Sequence, residues 1–503
     1  MDPGSVNDRA AESRQTSTTG DDEPDPRRWR ILAVSLVVGF MSLLDVSIVN
    51  VAIPTMQQGL DTSAGTIQWV VSGYALTFGL TLVAGGRLGD AYGRGRMMLI
   101  GLAGFVVASA AVGLAPNATL VIVARLAQGA AAGLLTPQNS GIIQVLFKGE
   151  ERGRAFGIFG LTVSLASALG PIIGGLIIEV AGEENGWRWL FLINVPIGLV
   201  AAIAVLRLVP GRVQSSSDDD PRIDVPGAVL LGLTVLCLLY PIVSIESGAR
   251  LPLVLLLGVP AFAWAFVHWE RHTVQRGHPP LLDLRLLRQL PGYLNGLAVG
   301  TLYFTGFTGL LLVLSVYLQD GLDYTALQTG LVLVPFAAGS AISAPIAGRF
   351  VTRVGRPLTV AALGATMLGI LLVILLAPGR EPLWLWFAPF LLLAGLGGGA
   401  VVSPNITLTL AEVPPRMGGA AGGALQTGQR IGSSIGAALL ITAYQVTVGP
   451  TSPDTALRVA LGCGLVLLTA ALAMAVRALR YESGPGEDHE PRDDGHLHGH
   501  HHG

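Results

Sequence analysis

Charged residues are scarce along almost the whole chain. The sequence has 31 Lys and Arg and 33 Asp and Glu among its 503 residues. Residues 1–30 hold 12 of these charges and residues 477–503 hold 9, which leaves 43 for the 446 residues between them. An ordinary soluble protein is about a quarter charged. So few charges cannot cover the surface of a water-soluble fold, and the chain is predicted to be a polytopic membrane protein.

Apolar segments of spanning length occur fourteen times. A transmembrane helix needs about 20 mostly apolar residues. The segments that qualify are residues 31–53, 66–88, 97–115, 118–140, 156–179, 189–208, 225–245, 251–269, 293–318, 327–349, 358–377, 384–406, 417–443 and 455–477. Arginine is concentrated in the loops after even-numbered spans, which the positive-inside rule places in the cytoplasm. Both termini are then cytoplasmic, which requires an even number of spans, fourteen or twelve.

Residue usage argues against several classes of protein. Lys148 is the one lysine of the chain, and because Gly149 follows it no Walker A phosphate-binding loop can form. An ATP-driven pump is therefore not expected, nor a retinal protein, which needs an intramembrane lysine. The net charge of −2 argues against a nucleic-acid partner. Cys237 and Cys463 lie in apolar runs and are predicted to be core residues. No nucleophile–base arrangement points to an enzyme.

An internal repeat relates the two ends of the apolar region. Gly, Arg, Gly and Arg recur at the same offsets in residues 86–94 and 348–356, which are 262 positions apart. Leu-Leu-Thr-Pro at 134–137 is echoed by Val-Val-Ser-Pro at 401–404, late in spans four and twelve. Two homologous six-span halves therefore flank an unmatched pair of spans, in a 6+2+6 arrangement. Parallel halves with a site between them are typical of alternating-access carriers.

The repeat and the charge distribution divide the chain into five parts. Residues 1–26 are predicted to be a disordered cytoplasmic tail. Residues 27–210 form the N-terminal six-helix bundle, residues 211–275 a cytoplasmic linker with two additional transmembrane helices, and residues 276–480 the C-terminal six-helix bundle. Residues 481–503 are predicted to be a second disordered cytoplasmic tail, rich in His, Asp and Glu. A flexible tract lacks the fixed geometry of a metal site, and no metal is assigned.

Residues 86–96 resemble the signature loop between the second and third spans of the major facilitator superfamily. They match its pattern G-x-L-x-D-x-x-G-R-x-R. Gly86 permits close helix approach. Asp90 can hold Arg94 or a neighbouring helix terminus through charge and dipole contacts. We expect Gly86, Asp90, Gly93 and Arg94 to latch the cytoplasmic side and to release it when that side opens.

Span five resembles the antiporter motif of the same superfamily, G-x-x-x-G-P-x-x-G-G. Ala166 replaces the first glycine, and this departure is mild because alanine is also small. The remaining motif residues are expected to shape a tight helix crossing that takes part in gating, and a purely structural crossing is the alternative. These residues are Gly170, Pro171, Gly174 and Gly175. In the family the motif accompanies export, so the resemblance implies efflux.

Two further segments resemble hallmarks of one branch of the superfamily, the fourteen-span drug:proton antiporters. They are residues 44–54 in span one and residues 187–196 at the start of span six. The whole resemblance covers roughly residues 27–480. It implies an all-α protein of two pseudo-symmetric six-helix bundles with two extra central helices, in a bacterial plasma membrane.

Three ionisable residues lie deep within predicted spans: Asp45, Arg125 and Arg430. At about 1.5 Å per residue, all three lie roughly 20 Å from the cytoplasmic edge. A charge in the bilayer costs several kcal/mol, so mutual proximity or a wet cavity is expected. We predict that Asp45 is the proton-coupling carboxylate and that Arg125 favours its ionised form until substrate or rotation separates them. Arg125 and Gln128 also resemble the family's span-four motif for proton coupling, and a structural ion pair is the alternative.

A substrate cavity is expected between the halves, lined by polar and aromatic side chains from several spans. The candidates are Asn50, Trp69, Tyr74, Gln128, Tyr317, Gln319, Gln426 and Arg430. Two arginines against one aspartate indicate a neutral or an anionic substrate.

The sequence therefore predicts a monomeric proton-coupled secondary transporter that exports amphipathic small molecules, drugs or antibiotics, by alternating access. The proton gradient drives it and no cofactor is expected. Its partners are the substrate, protons and the lipid bilayer. A proton-coupled lipid flippase, a solute uptake symporter and a transport-derived membrane sensor are the alternatives.

Overall fold

A computed structural model describes residues 25–482 except 183, 211–223, 247–250, 279, 285–286, 288 and 381. Almost all of the predicted N-terminal tail and of the predicted C-terminal tail, with its histidines, lies outside the described residues.

The described chain is helical from end to end. The helices of the first half are α1 (Arg28–Gly59), α2 (Ala64–Tyr92), α3 (Arg94–Leu114), α4 (Ala118–Leu146), α5 (Gly149–Ala181), α6 (Gly186–Leu192) and α7 (Asn194–Leu208). Two more, α8 (Val225–Glu246) and α9 (Gly258–Gln275), follow, with a 3-10 turn at Leu251–Leu257 between them. The second half contains α10 (Pro291–Val316), α11 (Ala326–Val354), α12 (Arg356–Leu376), α13 (Leu383–Leu410), α14 (Gly418–Val448) and α15 (Pro453–Glu482).

The span prediction is confirmed. Thirteen helical segments in the described ranges are long and apolar enough to cross a membrane, with α6 and α7 together forming one of them. The apolar helix α8 accounts for the remaining predicted span. The protein is an all-helical multi-pass membrane protein.

The helices form two groups with α8 and α9 between them in sequence. In the first group α2 packs on α4, α4 on α3, and α1 on α5; in the second, α10 packs on α14, and α13 on α11 and α12. The groups meet where α2 contacts α14 and where α5 contacts α11 and α13. Helix α8 packs on α9 and also contacts both α2 and α14.

Glycines at equivalent repeat positions end α2 and α11. Gly93 has φ of 102° and Gly355 has φ of 68°, in the left-handed region that favours residues without a Cβ. Each glycine separates two consecutive spans, α2 from α3 and α11 from α12. We call the end of the molecule that carries both of these turns the α2–α3 end.

Equivalent glycines also bring the halves together at this end. A Cβ on Gly86 of α2 would overlap the backbone of Gly419 in α14. A Cβ on Gly348 of α11 would lie 2.5 Å from the carbonyl oxygen of Gly153 and 2.5 Å from the Cα of Gly157 in α5. Gly348 and Gly419 stand 262 positions after Gly86 and Gly157, so the repeat places one glycine pair on each side of the interface. Backbone-to-backbone contact of this kind holds helices together in membranes, where no hydrophobic force acts between them.

Substituting these interface glycines should therefore destabilise the protein. We expect Gly348→Ala to lower the free energy of unfolding by roughly 1–3 kcal/mol, because the added methyl group must displace the α5 backbone. Gly364→Ala in α12 is the matched control, since its Cβ would meet no atom within 4 Å. The control should be neutral or slightly stabilising, because alanine is the better helix former. Fluorescence-monitored unfolding of the purified variants measures both, and equal midpoints would contradict the packing argument.

Candidate functional site

A buried ion pair lies between α1 and α4. The Arg125 guanidinium donates from Nη1 to Oδ2 of Asp45 at 2.5 Å, and both side chains are about 1% exposed. Arg125 also donates from Nε to the carbonyl oxygen of Val70 at 3.0 Å and from Nη1 to Oε1 of Gln128 at 2.8 Å. The structure thus brings together Asp45, Arg125 and Gln128, three residues singled out in the sequence.

Gln128 and Asn194 complete the environment of the carboxylate. Gln128 donates from Nε2 to Oδ1 of Asp45 at 3.0 Å, and Asn194 donates from Nδ2 to the same oxygen at 3.1 Å. Asn194 also donates to the Ser109 hydroxyl at 3.0 Å, which in turn donates to the carbonyl oxygen of Phe191. The Asp45 carboxylate therefore has one cation and two side-chain amides as hydrogen-bond donors, all from the first half.

Asn194 and Ser109 were not among the predicted site residues. Asn194 begins α7, directly after the break that separates α6 from α7, and this break aims the side chain towards Asp45. In the sequence, Asn194 belongs to residues 187–196, which resemble a hallmark of the family. That resemblance did not indicate that the Asn194 side chain lies near Asp45. Ser109 carried no sequence signal beyond a hydroxyl in an apolar span.

A row of aromatic rings extends from this ion pair towards α14. The Arg125 guanidinium lies over the Tyr74 ring, 4.2 Å from its centroid. Tyr74 stacks with Phe78 one turn along α2, at 5.8 Å between centroids. On the far side, the Arg430 guanidinium lies over Phe78 at 4.7 Å. Arg430 thus lies one turn nearer the α2–α3 end than the Asp45–Arg125 pair.

The other predicted cavity residues are distributed along the molecule. Trp69 contacts Tyr240 of α8 at 5.5 Å between ring centroids. Gln426 donates to the Ser140 hydroxyl at 3.2 Å and so links the two halves. Tyr317 donates to Asp454 at 2.6 Å and stacks on Phe387, within the second half. Gln319, which is exposed, donates to the Ser315 hydroxyl at 2.9 Å. The Asn50 side chain lies outside the described residues.

The predicted antiporter segment packs α5 against α1. A Cβ on Gly170 would overlap the Ser47 side chain, two residues beyond Asp45. Ala166 and Gly174 are buried, while a Cβ on Gly175 would meet open space. The Pro171 side chain lies outside the described residues. The close α1–α5 contact therefore lies directly beside the ion pair.

A second buried ion pair joins the two halves at the α2–α3 end. The Arg94 guanidinium donates to Oδ1 of Asp90 at 2.6 Å, and both residues are buried. Asp90 accepts hydrogen bonds from the amides of Gly419 and Ala420, at 3.1 and 2.9 Å, in the first turn of α14. A carboxylate at a helix N-terminus is favoured by the free amides and by the helix dipole. Arg94 in turn donates to the carbonyl oxygen of Gly141 and, at 2.8 Å, to that of Pro415.

We call this set the latch: Asp90, Arg94, Pro415, Gly419 and Ala420. Further polar contacts between the halves lie near it. Gln144 donates to the carbonyl oxygen of Leu410 at 2.7 Å, and the exposed pair Arg353–Glu150 joins α11 to α5 at 3.0 Å. The halves are therefore in contact at the α2–α3 end. Among the described residues, no group of three or more His, Cys, Asp or Glu could hold a metal ion.

Known proteins resemble this chain both in sequence and in fold. The sequence profile of the Major Facilitator Superfamily matches residues 35–437. The chain is 35% identical over 482 residues to the puromycin resistance protein pur8 of Streptomyces alboniger, covering 92% of this chain and 93% of that protein. It is 34% identical over 432 residues to a probable actinorhodin transporter of Streptomyces coelicolor, covering 85% and 74%. The human organic anion transporter MFSD10 has a similar fold, with a TM-score of 0.64 at 17% identity over 90% of this chain and 100% of that one.

The latch predicts how the α2–α3 end responds to loss of charge. Asp90→Asn should open this end, because Arg94 then keeps a buried charge without its counter-ion, at a cost of about 3–5 kcal/mol. Spin labels at the exposed positions Arg96 and Thr352, in a variant without Cys237 and Cys463, should report a longer distance between the halves. Arg353→Gln is the control: it breaks the exposed pair with Glu150, which contributes about 0–1 kcal/mol. A distance unchanged by Asp90→Asn would contradict the assignment of the latch.

Asn194 should contribute measurably to stability. Asn194→Ala removes a hydrogen bond to a buried carboxylate, and we expect a loss of about 1.5–3 kcal/mol in the free energy of unfolding. Asn185→Ala is the matched control at an exposed position, where the side chain contacts Arg188 alone among the described hydrogen bonds. Chemical denaturation in detergent measures both variants. A loss no larger than that of the control would mean that Asn194 does not support Asp45.

Proposed function

Because the chain belongs to the major facilitator superfamily, we propose that it exports amphipathic small molecules across the plasma membrane in exchange for protons. It is a secondary transporter and not an enzyme. The observation that carries the proposal is the Asp45 carboxylate, buried at mid-span with Arg125, Gln128 and Asn194 as its donors. A titratable acid in this position marks an ion or proton pathway. The relatives named for puromycin resistance and actinorhodin transport support drug-like substrates and export.

We place the α2–α3 end at the cytoplasmic face. The arginine-containing turns after α2 and α11, which are spans two and ten, lie at this end, in agreement with the positive-inside rule. The two termini then also face the cytoplasm. With the latch formed, the cytoplasmic side is closed, and in our proposal substrate release and proton uptake take place from the opposite side.

The proton exchange uses the two states of Asp45. When Asp45 is ionised, it holds Arg125 and ties α1 to α4. When it is protonated, the attraction is lost and Arg125 keeps the carbonyl of Val70 and the face of Tyr74 as partners. Because the neutral acid carries no charge, it does not need Arg125 as a buried counter-ion. The helices around Asp45 can then rearrange, and the latch can open. On the cytoplasmic side, substrate entry favours loss of the proton and return of the ion pair.

The packing at Gly170 connects the Asp45 site to the interface between the halves. It brings α5 against Ser47, close to Asp45, and the same helix meets Gly348 of α11 through Gly153 and Gly157. A shift of α1 relative to α5 therefore acts on the same helix that holds the two halves together.

The test is substrate-driven proton movement in vesicles. Purified protein is reconstituted in liposomes with an acidic lumen and a trapped pH dye, and puromycin or actinorhodin is added outside. An antiporter makes the lumen more alkaline, because protons leave as substrate enters. Asp45→Asn should reduce this signal at least about tenfold, whereas Asp320→Asn, the same change at an exposed site, should preserve it.

The sign of the signal separates the alternatives. An uptake symporter would acidify the lumen further, a lipid flippase would move labelled lipid and ignore the drugs, and a sensor would move neither. Full activity of Asp45→Asn would sink the coupling proposal even if drug transport were present.

A further inference from the structure

Arg430 is a cation in the middle of α14 without an anionic partner. Among the described residues it makes no salt bridge and no hydrogen bond; its guanidinium lies over the face of Phe78 and interacts electrostatically with Tyr74. The carboxylate nearest along the aromatic row, Asp45, is already bound by Arg125. The residue as a whole is partly exposed.

The surroundings of Arg430 hold an excess of positive charge. Arg125 and Arg430 lie at opposite ends of the Tyr74–Phe78 stack, and Asp45 neutralises the first of them alone. Desolvating an unpaired guanidinium costs far more than desolvating a paired one. Any step that encloses a ligand beside Arg430 is therefore more favourable when that ligand brings a negative charge.

We infer that Arg430 and the face of Phe78 recognise the acidic group of a planar aromatic substrate, a carboxylate or phenolate carried on the ring system. The guanidinium fork matches a carboxylate with two parallel hydrogen bonds. Its flat face also stacks on aromatic rings, as it already does on Phe78. That this ligand is transported rests on the proposed function. The inference narrows the proposed substrates from amphipathic small molecules to acidic aromatic ones.

Position along α14 supports this assignment. Gln426, one turn earlier on the same helix, is buried and engaged with Ser140 of the other half. Gly422 and Gly419, further towards the α2–α3 end, pack directly on the first half. Arg430 thus lies one turn of α14 beyond the closed contact between the halves, where a ligand entering from the opposite side would meet it.

Binding of a matched pair of compounds tests the inference without transport. Anthraquinone-2-carboxylate and its methyl ester share one ring system and differ in charge, and calorimetry of the purified protein in detergent compares their affinities. We expect the wild-type protein to favour the carboxylate by about tenfold or more. Arg430→Gln should remove this preference and leave ester binding within about twofold, while Arg430→Lys should retain part of it because the charge remains without the fork.

Two variants separate this inference from the proposed function and from loss of folding. Arg458→Gln, the same change at an exposed position of α15, should keep the full preference. Arg353→Gln, which breaks the exposed pair with Glu150 and leaves the Asp45 site intact, should keep it too. The measurement is equilibrium binding without a proton gradient, so a failure of proton coupling and a failure of recognition can be told apart. Equal affinity of wild type for acid and ester, no binding of the acid, or an unchanged preference in folded Arg430→Gln would each overturn the inference.

Discussion

An ion inside the hydrocarbon of a bilayer must be paired, and the centre of the first half is arranged around this requirement. Asp45 has three donors from α4 and α7, and Arg125 has a carbonyl and an aromatic face besides its carboxylate. Four helices are thereby fixed around one carboxylate, since Val70 and Tyr74 belong to α2. Because exposing either ion to lipid is costly, this network is either fully formed or fully broken, with few intermediate arrangements. Protonation of Asp45 is the smallest chemical change that removes the ion pair.

The two halves share a repeat but do not use it in the same way at their interface. Gly86 and Gly348 make equivalent close contacts with Gly419 and Gly157. The acidic residue does not recur, since Thr352 stands where the repeat places the counterpart of Asp90. One side is therefore held by a buried carboxylate on a helix N-terminus, and the other by the exposed Arg353–Glu150 pair. Most of the electrostatic resistance to opening lies on the α2–α14 side.

Much of this could be predicted from the sequence, because span length, charge scarcity and repeat offset depend on local composition. The need of a buried charge for a partner also pointed to Asp45 and Arg125. The direction in which a side chain points from its helix axis was harder to predict. Tyr317 and Gln319 were predicted to line the substrate cavity, yet Tyr317 faces Phe387 and Asp454, and a π-helical turn at Tyr317–Gly321 changes the angular spacing there. Asn194 reaches Asp45 because the chain breaks between α6 and α7, which composition does not reveal. Depth estimates placed Arg430 level with Asp45, whereas its long side chain lies one turn away over Phe78.

Helix α8 touches both α2 and α14, the two helices that the latch joins. Leu239 packs beside Gly79 of α2, and Tyr240 meets Trp69 of the same helix. When the latch opens, the seam between α2 and α14 would otherwise be open sideways to acyl chains. A helix lying along that seam keeps acyl chains away from it and would have to slide on one neighbour if the other moved. Helix α8 therefore shields from lipid a seam that two six-helix bundles alone would leave exposed to the acyl chains.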